Sequence, residues 1–137
     1  MSVPEHQVDV REWLSRALED VRWARYSYEG RFPRQACFGC QQAVEKALKA
    51  LLLACDQPLE RTHSLPKLRQ LCEPFVPELS AFDDSLTVLD AYYAPTRYAD
   101  VGQEVDYTEE RVENALARTD EIVQFLRREI EARLEDR

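Results

Sequence analysis

The sequence predicts an all-α protein: an up-and-down antiparallel bundle of four long helices plus one short helix, folded as a single domain over residues 1–137. Three observations lead there. Only three glycines occur, while Glu, Arg, Leu and Ala are used heavily, as helices joined by short loops require. Apolar residues recur at spacings of three and four over long stretches, and no run rich in Val, Ile and Thr alternates as a strand would. A chain of 137 residues can also bury a core without disulfides or metal.

The first helix is expected from about Val8 to Glu29, with Asp9 as a candidate N-cap. Trp13, Leu14, Ala17, Leu18, Val21, Ala24 and Tyr28 form its apolar stripe, and Gly30 stops it. Arg31 to Arg34 turn the chain, and Pro33 suits the first turn of the next helix. That second helix, ending near Cys55 and Asp56, organises the chain. Cys37, Cys40, Val44, Ala47, Leu48, Leu51 and Cys55 line one face, and Gln42, Glu45, Lys46 and Lys49 line another. So short a loop between two long helices requires an antiparallel αα-hairpin.

Ser64 is placed to cap a short helix with Pro66 in its first turn and Leu65, Leu68, Leu71 and Cys72 toward the core, before Pro74 and Pro77. A third long helix is read over Ser80–Tyr93 from Phe82, Leu86, Leu89 and Tyr93, closed by Pro95. The run Ala94–Asp106 has no period and is the one long irregular segment; such segments in compact domains tend to be functional. The last helix begins at Asp106 or Thr108, with Asp106 and Glu109 as a candidate capping box. Val112, Leu116, Thr119, Val123, Leu126 and Ile130 make a heptad-like seam suited to a bundle or to a second chain, and the charged tail Glu129–Arg137 is expected to fray.

A formal charge of −8 excludes a general DNA or RNA binder, which needs clustered Lys and Arg. The charge is segregated, however. Arg11–Arg69 holds eleven Lys/Arg against seven Asp/Glu, whereas Glu78–Glu110 holds nine acids and one base, Arg97. This leaves room for a local anion site. No apolar run is long enough to span a membrane, and Met1–Val10 has neither the basic start nor the apolar run of a signal peptide, so a cytoplasmic location is expected.

Cys37 and Cys40 match C-x-x-C, but no strand precedes them and both fall on the apolar stripe, which favours small packing residues over a redox pair. The four cysteines and two histidines have no zinc-site spacing. No cofactor or metal is expected. The Gln42, Glu45, Lys46 and Lys49 face reads first as solvated surface, in which Glu45 and Lys49 add about 0.2–0.5 kcal/mol as an i,i+4 pair. The same residues could instead present Lys46 and Lys49 to phosphate. His63 suits a structural ring at the core edge or a phosphate contact near Arg61 and Lys67. Arg97, between Asp90 and Asp100 and near Tyr92, Tyr93 and Tyr98, suits either a loop tie or a ligand contact.

Three stretches together carry a family resemblance: Phe38–Lys49 (FGCQQAVEKALK), Thr62–Leu68 (THSLPKL) and Leu89–Tyr98 (LDAYYAPTRY). In order and spacing they resemble the HEPN family (higher eukaryotes and prokaryotes nucleotide-binding domain), over about Trp13 to Leu126. The resemblance implies a helical bundle assembled as a homodimer, often partnered by a minimal nucleotidyltransferase, sometimes as toxin and antitoxin, and able to bind ATP or another nucleotide. Many HEPN proteins resemble ribonucleases that use an Arg followed four to six residues later by a His. This chain departs from that pattern: no histidine follows Arg97, His6 does not fit, and Arg61 to His63 is too short a step. The expectation is therefore a non-catalytic module with Lys46, Lys49, Arg97, Tyr98 and His63 as nucleotide- or partner-binding candidates. The alternatives are a ribonuclease toxin with an atypical active site using His63 or a tyrosine, and a purely structural oligomerisation protein.

Overall fold

The computed structural model describes residues 5–93 and 106–136, with side chains from residue 9 onward. Among the described residues the regular structure is entirely helical, without a strand. The helices are α1 (Glu5–Glu29), α2 (Pro33–Ala54), α3 (Leu65–Cys72), α4 (Asp83–Asp90) and α5 (Glu109–Glu135), and a 3-10 turn, Pro77–Phe82, leads into α4. Three helices are long, at 25, 22 and 27 residues, and α3 and α4 have 8 residues each.

The helix read over Ser80–Tyr93 is thus shorter than the sequence predicts. Pro77 starts a tighter helical turn that takes in Ser80, and the α-helix begins only at Asp83. At the other end the Asp90 carboxylate accepts a hydrogen bond from Leu65 N at 2.9 Å, so the residue that ends α4 also caps the start of α3. Two further boundaries move. Asp9 lies inside α1, which already runs from Glu5, and so is not its N-cap. Thr108 rather than Asp106 caps α5, its hydroxyl accepting from Arg111 N at 3.1 Å. The tail does not fray before Glu135: Leu134 is buried, and Arg133 donates to the Phe75 carbonyl at 3.1 Å.

Left-handed residues lie at both ends of α2. At the first, Phe32 N bonds Ser27 O and Arg31 N bonds Tyr28 O, the pattern of a Schellman motif, with Arg31 at φ 67°. Gly30 sits one position before the left-handed residue, with the Phe32 ring against the place a Cβ would take. At the second, Gln57 N bonds Leu52 O and Asp56 N bonds Leu53 O, with Asp56 at φ 63°.

Side-chain pairs fix the helix directions. Trp23 and Ala24 touch Gly39, Asp20 meets Lys46, and Trp13 meets Lys49, so α1 and α2 are antiparallel. Arg25 with Asp120 and Tyr28 with Glu113 set α5 antiparallel to α1. Phe82 with Phe125 and Ser85 with Arg118 set α4 antiparallel to α5. These described helices alternate in direction, but the expected four long helices are three, with the 3-10 turn and α4 in place of a long third helix. α2 lies in the middle: apart from its ends, almost every residue is buried, polar ones included. Its alanines Ala36, Ala43, Ala47, Ala50 and Ala54 let neighbours approach closely.

Candidate functional site

The polar stripe of α2 is covered rather than solvated. Gln41, Glu45 and Lys49 are 0%, 3% and 5% exposed, which overturns the surface reading for Glu45 and Lys49, while Gln42 and Lys46 of the same expected face are half-buried. Three buried polar side chains one turn apart are costly unless they find hydrogen-bond partners, and here they bond one another and their neighbours. Lys49 Nζ donates to Glu45 Oε2 at 2.9 Å, and Gln41 Nε2 donates to Glu45 Oε1 at 3.1 Å. Gln42 Nε2 donates to Gln41 Oε1 at 2.8 Å. The Trp13 ring covers Lys49, its centroid 5.7 Å from the ammonium.

His63 closes the cluster from the loop between α2 and α3. Its Nδ1 lies 3.2 Å from both Glu45 oxygens, and an ionised carboxylate only accepts, so Nδ1 carries the hydrogen. Gln41 Nε2 also donates to the His63 carbonyl at 3.1 Å, which holds the loop as well as the ring. The side chain is nonetheless 48% exposed. The Tyr93 ring stacks on it with centroids 4.6 Å apart, Phe38 stacks on Tyr93 at 6.1 Å, and Trp23 meets Phe38 edge-on at 6.3 Å. A row of rings therefore leads from α1 to the histidine. One turn away, Lys46 Nζ donates to Asp20 Oδ2 at 2.6 Å. Burial pushes the Asp20 carboxyl above the ordinary carboxylate range, with Lys46 pulling the other way.

Of the residues singled out by sequence, Lys46, Lys49 and His63 come together here, while Arg97 and Tyr98 lie outside the described residues. Lys49 is an internal ion-pair partner rather than an exposed donor. Asp20, Trp13, Gln41 and Tyr93 complete the cluster, and sequence reasoning missed them as site residues. The one available signal for Gln41 was its position a single turn before Glu45 on the helix already known to be central.

The cysteines do not join the site. None of the four forms a disulfide, and Cys37, Cys40 and Cys72 are buried. Burial pushes their thiols up to about 12, about 11 and about 12, the reverse of what an attacking thiolate needs. They are packing residues. Among the described residues no group of His, Cys, Asp and Glu is placed to hold a metal, and no helix is long and apolar enough to cross a membrane.

The fold and the buried cluster define a small helical-bundle domain with a half-exposed histidine seated on an internal carboxylate. The HEPN domain model matches residues 10–130, and the chain belongs to the HEPN family. It is similar to the crystal structure of TT1696 from Thermus thermophilus, with 34% identity, a TM-score of 0.80, and 88% of this chain and 97% of that one covered. It is also similar to ST0689, an archaeal HEPN homologue, with 30% identity, a TM-score of 0.71 and the same coverage of 88% and 97%. No curated protein matches the chain.

Proposed function

We propose that the chain is a non-catalytic HEPN module of the cytoplasm that binds a nucleotide, or docks a minimal nucleotidyltransferase, as a homodimer and as one half of a toxin–antitoxin pair. The observation that supports this is the site itself: a half-exposed imidazole, stacked on Tyr93 and backed by the buried Lys49–Glu45 ion pair. So costly an arrangement adds little to stability compared with well-packed apolar residues, which favours a binding role. The test is calorimetric titration of the protein with ATP and GTP, with and without magnesium, alongside its mass in solution. Micromolar binding by a dimer supports the reading. A dimer that takes neither nucleotide, in either condition, turns it toward partner docking.

One observation favours a second reading. A carboxylate on Nδ1 of a half-exposed ring is also how a general acid–base histidine is oriented. A ribonuclease with an atypical site would therefore use His63. Incubation with a mixed-sequence RNA decides it: cleavage that His63→Gln abolishes establishes that enzyme, and intact RNA removes it.

A further inference from the structure

We propose that His63 is the proton-dependent phosphate contact of this site and that Glu45 is the residue that positions it. The inference rests on the nucleotide-binding reading and deepens it by naming the group that recognises the ligand's phosphate. Lys46 is matched by Asp20 and Lys49 by Glu45, so both lysines offered by the sequence as phosphate donors are already neutralised within the protein. Lys49 is also buried beneath Trp13 and reaches no ligand without leaving Glu45 unpaired.

These four groups sum to zero, and one proton on His63 makes the cluster a cation. The ring is built to use it. Glu45 accepts from Nδ1 in either charge state of the ring, and Nε2 has no hydrogen-bond partner among the described residues. Stacking on Tyr93 fixes the plane of the ring, and Gln41 fixes the backbone that carries it. Among the described residues, the other charged groups near it in the chain include Arg61 and Lys67, and Asp90 on α4 is engaged by Leu65 N. Protonated, Nε2–H is a charged donor on a half-exposed ring, which suits a phosphate oxygen; unprotonated, it is an acceptor and repels one. Glu45 takes donors on both oxygens, so its carboxylate is committed within the protein.

The test compares the intact chain with His63→Gln, using ATP, inorganic tripolyphosphate and adenosine as probes at pH 6.0 and pH 8.0. The ratio of wild-type to variant affinity is read, because the ligand's own ionisation cancels in it. For ATP and tripolyphosphate the ratio is expected to be roughly tenfold larger at pH 6.0, and for adenosine to be near one at both values. The double substitution Glu45→Gln with Lys49→Met keeps the interior neutral and is expected to flatten the pH dependence without lowering the melting temperature, as a positioning role requires. A ratio that is the same at both pH values, or as large for adenosine as for ATP, overturns the inference and leaves nucleotide binding standing. Wild-type protein that binds none of the probes at either pH overturns both.

Discussion

Lys49 is the residue whose role changes most between sequence and structure. An exposed lysine is replaced by alanine at almost no cost, but this one holds the buried Glu45 carboxylate at 2.9 Å. Lys49→Ala is expected to destabilise the fold by about 3 kcal/mol, because a buried charge is left without its partner, and urea unfolding reads the loss directly. Lys46, with its head partly in water, should cost under about 1 kcal/mol by the same measurement. The difference was not legible from residue types, since both lysines lie on one face at helical spacing. It comes from what covers them. Lys49 lies under Trp13, and His63 from a loop eighteen residues along seals Glu45, a contact that helix periodicity cannot reveal.

At the level of elements, most of the reading came from local rules. The stripe Val112, Leu116, Thr119, Val123, Leu126 and Ile130 is buried throughout, because a 3.6-residue repeat points each of them inward whatever surrounds the helix. Ser64 caps α3, and Pro33 opens α2, as their chemistry dictates. The helix Asp83–Asp90 is shorter than its periodicity suggests, and its last residue bonds Leu65 N of α3, a tertiary contact with no local signal. Asp90→Ala should therefore lower stability by about 1 kcal/mol, although it lies at the end of one helix and caps another. Arg31 gives a test of the opposite sign. A non-glycine residue at φ 67° is strained, so Arg31→Gly is expected to raise stability by about 0.5–1 kcal/mol in thermal or urea unfolding. Where α1 crosses α2, an added Cβ at Gly39 would lie 3.0 Å from Trp23 and 3.1 Å from Ala24. Gly39→Val should cost about 2 kcal/mol, as overpacking at a helix crossing does.

For the molecule as a whole, the buried thiols set a pH dependence with a definite sign. Folding raises Cys37, Cys40 and Cys72 from an ordinary 9.0 to about 12, about 11 and about 12, so the folded state holds more protons than the unfolded one in that range. Their contribution is complete below about pH 9 and is lost as pH climbs toward 11 and 12. The urea midpoint should accordingly fall between pH 8 and pH 10.5, and Cys40→Ala should make the fall shallower. The apolar stripe already holds Cys37 and Cys40 in the sequence, and that is enough to separate packing from redox chemistry here. The bundle and its chain order were legible in the same way, but the ionic cluster was not, because it needs α1, α2 and the loop before α3 to be assembled first.

The position of α2 has a consequence for how occupancy would be felt. The helix that forms the wall of the polar cluster is also the one that every other described α-helix packs against. Its amide hydrogens should exchange with solvent only when the entire chain unfolds. A molecule held at His63, as proposed above, would then lean on the keystone rather than on a flap: its binding energy would add to the stability of the whole fold, and warming the protein would become a way to release it.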